Sequence, residues 1–354
     1  MIKSKLLAST MLVSAAALVA AGSANAAKVK LGGYIEFWGG YGANDKSVGN
    51  VNDFDFKQDA EINFSSSHKL DNGMKVGVKF EMEAGVGNDN ANSNFDESSA
   101  SIQTSFGKFV VGNNDVASAY VGGVSVVGPV GITKSDAADW LPGSQALLNN
   151  TDADLGAGDA QNIAYFTPKI GGLQAIVSYV PDRSDATGTS AYDDQETTGF
   201  HNHFSGALKY GAKMGSTSVS LGAGYSTVEN TDAAGTPGEN NGYGITGAVS
   251  FSGLKLSATR AHENNATDTD SYWAVAALYK AGKNSFSIGY SEAESDKAAD
   301  GSGKDVSDII TVGYQKNMGK GVTWASSIVH AGYTKAATAK VDGTAVVTGL
   351  KVKF

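Results

Sequence analysis

The sequence predicts an all-β fold: a 16-stranded antiparallel transmembrane β-barrel with its long third loop folded into the lumen. Three observations predict it. Apolar and polar residues alternate with period two in segments spread over the whole chain, the pattern left by strands whose successive side chains face opposite sides. The links between these segments are alternately short and long. The last segment, Thr344 to Phe354, sets Val346, Thr348, Leu350, Val352 and Phe354 against Ala345, Val347, Gly349, Lys351 and Lys353. An apolar strand at the end of a chain is an edge that must be covered, and pairing it with the first strand closes a ring.

The first element stands outside the barrel. Lys3 and Lys5, the apolar run Leu6 to Ala21 and the small-residue site Ala24-Asn25-Ala26 read as a cleaved signal peptide over residues 1–26, too short an apolar run for a membrane anchor. The barrel domain is then 27–354. Loss of Lys3 and Lys5 takes the formal charge from −9 to −11, and an acidic surface argues against nucleic acid as a partner. There is no cysteine, so an exported chain must draw its stability from its sheet. Only 5 prolines occur in 354 residues, which suits long ladders that need every backbone donor.

Sixteen strands follow, at 28–41, 53–67, 74–84, 96–106, 108–115, 160–167, 172–181, 200–211, 215–227, 242–252, 253–262, 271–280, 283–293, 306–317, 321–333 and 344–354. The first sets Val29, Leu31, Ile35, Phe37 and Tyr41 against Lys28, Lys30, Tyr34 and Glu36. In the second, Phe54, Phe56, Ala60, Ile62 and Phe64 oppose Asp53, Asp55, Lys57, Asp59, Glu61 and Asn63. Asp71-Asn72-Gly73 then carries the Asn-Gly signal of a tight hairpin. Past it, Met74, Val76, Val78, Phe80 and Met82 oppose Lys75, Lys79, Glu81 and Glu83. A soluble sandwich would show the same local alternation, so the barrel rests on the links. Seven are short, such as Ala281–Gly282, and eight are long. Brief periplasmic turns, long external loops and both termini at the short-turn end describe an outer-membrane barrel. A sandwich or propeller gives no reason for every second link to be long.

One link is out of proportion. Val116 to Asp159 runs to about 44 residues, where most connections are far shorter. Its Val124, Val126, Val127, Ile132, Trp140, Leu141, Leu147 and Leu148 call for an apolar partner. A sixteen-strand barrel leaves a lumen able to receive it.

With these features in order, the chain resembles the Gram-negative general porins, especially the alphaproteobacterial kind, over its whole length. The resemblance rests on the signal peptide, the opening Gly32-Gly33-Tyr34-Ile35-Glu36-Phe37, the sixteen strands, the long third external loop and the terminal Phe354. It implies a homotrimer in the outer membrane of a Gram-negative bacterium, each barrel a water-filled pore for passive diffusion of small hydrophilic solutes and ions. It also implies that the third loop narrows the pore with acidic residues facing a basic wall. By position the acidic side is Asp136, Asp139, Asp152 and Asp154, and the basic side is Lys57 and Lys79. Glu61 and Glu81 share the lumen face of the strands that carry those lysines, so a weak preference for cations is expected. The chain departs from the family in one respect: in place of an arginine cluster on the wall, it has past the signal peptide only Arg183 and Arg260.

Other signals carry less. His201 and His203, two apart on one strand, would share a face and form half a metal site, but no cysteine or third ligand is near in sequence, so they read as lumen-facing polar residues and no metal or cofactor is expected. Asp89-Asn90-Ala91-Asn92-Ser93-Asn94 is rich in oxygen ligands yet lacks the spacing of an EF-hand, which leaves a loosely held Ca²⁺ at an outer loop as an alternative. No G-x-S-x-G, Walker or dinucleotide fingerprint is present. Two rivals to a general pore stay open: a solute-specific channel for sugars or anions, with Tyr34, Trp38 and Trp140 as a stacking surface, and an outer-membrane barrel enzyme.

Overall fold

The structure, a computed structural model, describes residues 29–44, 53–84, 95, 97–141, 153–155, 157–158, 160–182, 199–231, 236–265, 269–296, 303–335 and 340–354. Sixteen strands form one closed antiparallel barrel. They are β1 (Lys30–Asn44), β2 (Phe54–Lys69), β3 (Lys75–Glu83), β4 (Glu97–Thr104), β5 (Gly107–Asn113), β6 (Gln161–Phe166), β7 (Leu173–Asp182) and β8 (Gly199–Met214). The second half is β9 (Thr217–Thr231), β10 (Pro237–Phe251), β11 (Leu254–Asn264), β12 (Thr269–Ala281), β13 (Asn284–Asp296), β14 (Lys304–Gly319), β15 (Val322–Thr334) and β16 (Val341–Lys353). No helix among the described residues is long and apolar enough to cross a membrane; the crossing is made by strands.

Every strand lies where the alternation places it, and the differences gather at the external ends. β9 runs on to Thr231 and β10 starts back at Pro237, where alternation alone suggested 227 and 242. These extensions are rich in Asn, Glu, Thr and Gly, so their periodicity is silent, yet the ladder continues and Thr227 donates to Glu239 across it at 2.8 Å. Pro237 is tolerated as the first strand residue, where its missing N–H costs no ladder bond.

The ring closes as the two ends of the chain suggest. β1 pairs with β16, with Phe37 opposite Leu350 on the outward face and Trp38 opposite Gly349 on the inward face. Phe354 extends the seam: its N–H donates to the Gly33 carbonyl at 3.1 Å and its carbonyl accepts from Gly33 N–H at 3.2 Å. Outward residues such as Phe56, Leu208, Ile245, Val312 and Ile328 are exposed and apolar, as a lipid-facing wall requires. The short turns rely on glycine in the left-handed region, with Gly73 at φ 84° and Gly321 at 79°. Burial is therefore found on the inside. Its largest cluster joins Ile309, Val329, Ala331, Ala345 and Val347 of the wall to Val130, Ala137, Trp140 and Leu141 of the third loop.

Candidate pore lining and constriction

The third loop leaves β5 and follows the inner wall around most of the barrel. Its first stretch is a 3-10 turn, Ala117–Val121, and it later forms one short helix, α1 (Lys134–Ala138), capped by Thr133. A succession of inward hydroxyls holds it. Ala117 N–H donates to Ser178 of β7 at 2.7 Å and Ser118 N–H to Ser205 of β8 at 2.8 Å. The Ser118 hydroxyl meets Ser226 of β9 at 2.9 Å. Ser125 N–H donates to Ser257 of β11 at 3.0 Å and Val127 N–H to Ser287 of β13 at 2.9 Å. Val130 N–H donates to Ser327 of β15 at 3.2 Å while its carbonyl accepts from Thr311 of β14 at 3.1 Å, and Ser291 of β13 donates to the Ile132 carbonyl at 2.8 Å. A loop buried against a wall must satisfy its backbone polar groups, and serines of β7, β8, β11, β13 and β15 do so without bringing charge.

The same wall is cut low to make room. A Cβ at Gly313 of β14 would fall on the Val127 carbonyl and 2.8 Å from the Ser287 hydroxyl. At Gly40 of β1 it would enter the Trp140 ring, and at Gly42 it would strike the Trp140 carbonyl. Trp140 is thus seated flat against β1, only 7% exposed, and offers little face for a passing sugar. Ala153 and Leu155 press on β10, where Leu155 Cδ2 would stand 3.0 Å from a Cβ at Gly242.

The described residues of the loop leave most of the inward faces of β2 to β4 uncovered, and this sector carries paired charges. Lys57 Nζ lies 3.9 Å from Asp139, 3.8 Å from Asp55 and 5.6 Å above the Trp140 ring. That is the contact between loop acid and basic wall. Asp136 does not reach across; it accepts from the Thr133 hydroxyl at 2.5 Å and folds back over its own turn. Burial beside the loop raises the pKa of Asp139, the nearby Asp136 adds to the rise, and Lys57 opposes it. Lys79 bridges Glu81 at 2.7 Å and Glu97 at 2.8 Å. Glu61 accepts from Asn63 at 2.6 Å and stands opposite Glu83. Asp154 lies between Ala153 and Leu155, which pack on β10. Asp152 falls outside the described residues.

Chemically this is a neutral wall covered by the described part of the loop, beside a wall of paired charges. A family model described as Gram-negative porin matches residues 8–336. The chain is a Gram-negative porin. Its place is the outer membrane, and family and fold point to a channel rather than an enzyme. No curated protein matches it in sequence. Among solved structures it is similar to the anion-selective porin from Comamonas acidovorans, at 18% identity and TM-score 0.63 over 93% of this chain and 100% of that one. It is also similar to a mutant of Rh. blastica porin, at 19% identity and TM-score 0.59 over 92% and 100%. OmpT of Vibrio cholerae, in a structure of its trimer form, gives 14% identity and TM-score 0.63 over 93% and 100%. At these identities the likeness speaks for the fold.

Three features of this porin went unread in its sequence. Glu97 shares Lys79 with Glu81, but the link ahead of β4 left the β3–β4 register open, so nothing placed it there. The serine belt was invisible because a serine on a strand is unremarkable by itself; only its recurrence on one face of successive strands carries the signal. The alternation also breaks at the histidines. The ladder shifts between His201 and Phe204, with Asn202 at φ 51°. His201 Nε2 lies 3.4 Å from Glu229 while His203 is fully buried. Among the described residues no three His, Cys, Asp or Glu side chains converge as a metal site. Arg260 is exposed on the outward face of β11, opposite Ile245, and the possible Ca²⁺ stretch at 89–94 lies outside the described residues.

Proposed function

We propose that this porin is a passive diffusion pore for small hydrophilic solutes and ions with a weak preference for cations. The observation that carries it is the route of the third loop. The described residues of the loop lie on the neutral wall, hydrogen-bonded from Ser178 to Ser327, and leave most of the charged faces of β2 to β4 open. Along that open side Lys79 is outnumbered by Glu81 and Glu97, and Lys57 by Asp55 and Asp139, which supports a cation preference. Opposed charges in close pairs cancel much of each other's field, which keeps the preference weak. The narrowing residues in this reading are Asp136, Asp139, Lys57 and Lys79, with Glu61 and Glu81 on the approach; Asp154 belongs to the loop's far limb, and Asp152 lies outside the described residues.

The export signal at 1–26 and a homotrimeric assembly belong to the same proposal. Strand length supports the trimer. β4, β5 and β6 have 8, 7 and 6 residues, short of the roughly 9–11 that a tilted strand needs to cross a bilayer. A second copy set against this low wall would cover what lipid cannot match, and one similar protein has been solved as a trimer.

Single-channel recording in planar bilayers tests the function. A current linear in salt and unaffected by sugars supports a general pore. Block by one solute class would favour a specific channel, and a silent bilayer would refute both.

A further inference from the structure

Charge in this lumen is sorted along the pore axis. At the periplasmic end, every charged inward residue within three positions of a strand end is a lysine. Lys69 and Lys75 are cross-strand partners. Lys75 faces Gln103, and Gln103 faces Lys108. Lys213, Lys255, Lys280 and Lys353 continue the ring on the opposite side and at the seam. Glu36, higher on β1, is already engaged by Lys351. The external end is the reverse. Asp55, Glu83, Asp182, Glu263, Asp270 and Asp305 point inward within two residues of their strands' external ends. Within three positions of those ends the described strands carry one inward base, Lys57, which is paired with Asp55 and Asp139. Lys79 lies deeper, bridging Glu81 and Glu97, and Lys335 follows the external end of β15.

We propose that the lumen is bipolar: an acidic external section in series with a basic periplasmic section, which makes the pore an ion-current rectifier whose ion preference depends on the direction of the salt gradient. The inference rests on the reading of an open channel. The two ends of a tilted strand of this length stand roughly 30 Å apart along the axis. The Debye length is about 8 Å at physiological salt, so each section acts on passing ions by itself. With the external side positive, cations enter through the acidic section and anions through the basic one, and both accumulate. With the sign reversed, each ion must enter past charges of its own sign, and the lumen is depleted.

The test uses the whole porin in planar bilayers, with its orientation known. The chain has no cysteine, so Ser218→Cys, inward near the periplasmic mouth, reports orientation when a maleimide polymer too large for the pore reacts from one chamber. In 10 mM KCl, where the Debye length is about 30 Å, current should be roughly 1.5- to 3-fold larger with the external side positive; in 1 M KCl, where it is about 3 Å, the ratio should approach one. The triple change Lys213→Gln, Lys255→Gln, Lys280→Gln should lower the dilute-salt ratio and leave the 1 M conductance unchanged. On the unaltered porin, dilute salt on the external side should give a cation-selective reversal potential, and the reversed gradient should weaken it or turn it anion-selective. A symmetric current in dilute salt, the opposite sign, or a ratio that persists in 1 M would overturn the bipolar lumen while leaving the pore intact. Absence of any current would overturn the channel reading beneath it.

Discussion

From β7 around to β16 the inward wall at the height of the third loop is Ser, Gly, Ala, Val and Ile, and the loop covers it. From β2 to β4 the inward wall sets Lys, Asp and Glu among serines, and the described residues of the loop leave most of it uncovered. The contrast shows how a barrel without a central core decides where water goes. A charge under the loop would lose its hydration without a partner, at a cost of several kcal/mol. A serine there exchanges a water hydrogen bond for one to the loop backbone at little net cost. The loop therefore docks on the neutral sector, and the charged sector stays wet because docking there is too expensive.

Placing a charge in the covered sector should break this contrast most strongly. Ala345→Lys introduces an ammonium at a fully buried position beneath Trp140 and Leu141. It should cost roughly 3–5 kcal/mol or drive the loop off the wall, read as a lower urea midpoint together with protease cleavage inside 116–141. Ser101→Lys, on the open sector, should leave the midpoint unchanged and alter the current alone. Equal loss of stability in the two would mean that the sectors do not differ.

Volume should matter next. Gly313→Leu thrusts a side chain into the Val127 carbonyl and should cost about 1–3 kcal/mol, with noisier, larger single-channel currents as the loop loosens. Gly211→Leu also points inward, but nothing stands within 4 Å of its Cβ, and it should be silent in both measurements.

Removing one tether should have a smaller effect. Ser178→Ala and Ser327→Ala each delete a hydroxyl that accepts a loop N–H and should cost about 0.5–1.5 kcal/mol apiece. Ser101→Ala on the open wall is the comparison and should cost nothing measurable.

The smallest effect should be electrical. Asp136→Asn with Asp139→Asn should shift the reversal potential in a KCl gradient away from cation preference, and the shift should shrink in 1 M salt. The pH dependence has a definite sign. The folded protein holds the pKa of Asp139 above its ordinary value, through burial first, with Lys57 opposing and Asp136 adding to the rise. The group therefore favours folding when protonated, and that contribution is lost as pH rises through the raised pKa. In the channel, Asp139 should lose its charge on acidification before ordinary aspartates, which titrate near about 3.9. Cation preference should begin to fall above that range, and Asp139→Asn should remove this first step. An unaltered pH profile in the Asp139 variant would place the selective charge elsewhere.

The strands and their faces were legible because period two is local: Phe54 to Phe64 and Leu350 to Phe354 declare their outward side without reference to any partner. The order of the ring was legible because links of alternating length leave few ways to connect antiparallel neighbours. Strand ends were less so, since Asn- and Gly-rich extensions such as Pro237 to Asn241 carry no hydrophobic signal. The apolar residues of the third loop declared that it must pack, and the lumen was the one place with room. What the sequence by itself determined is therefore the barrel, the faces of its strands and an inward loop. Only the tertiary structure decided which sector the loop covers, which of Lys57 and Lys79 meets it, and that Glu97 joins Lys79. Those outcomes depend on residues far apart in the chain, such as Ser118 with Ser226 and Val130 with Ser327. Each residue is unremarkable by itself, and the contact acquires its energy only when closure of the ring brings the two together.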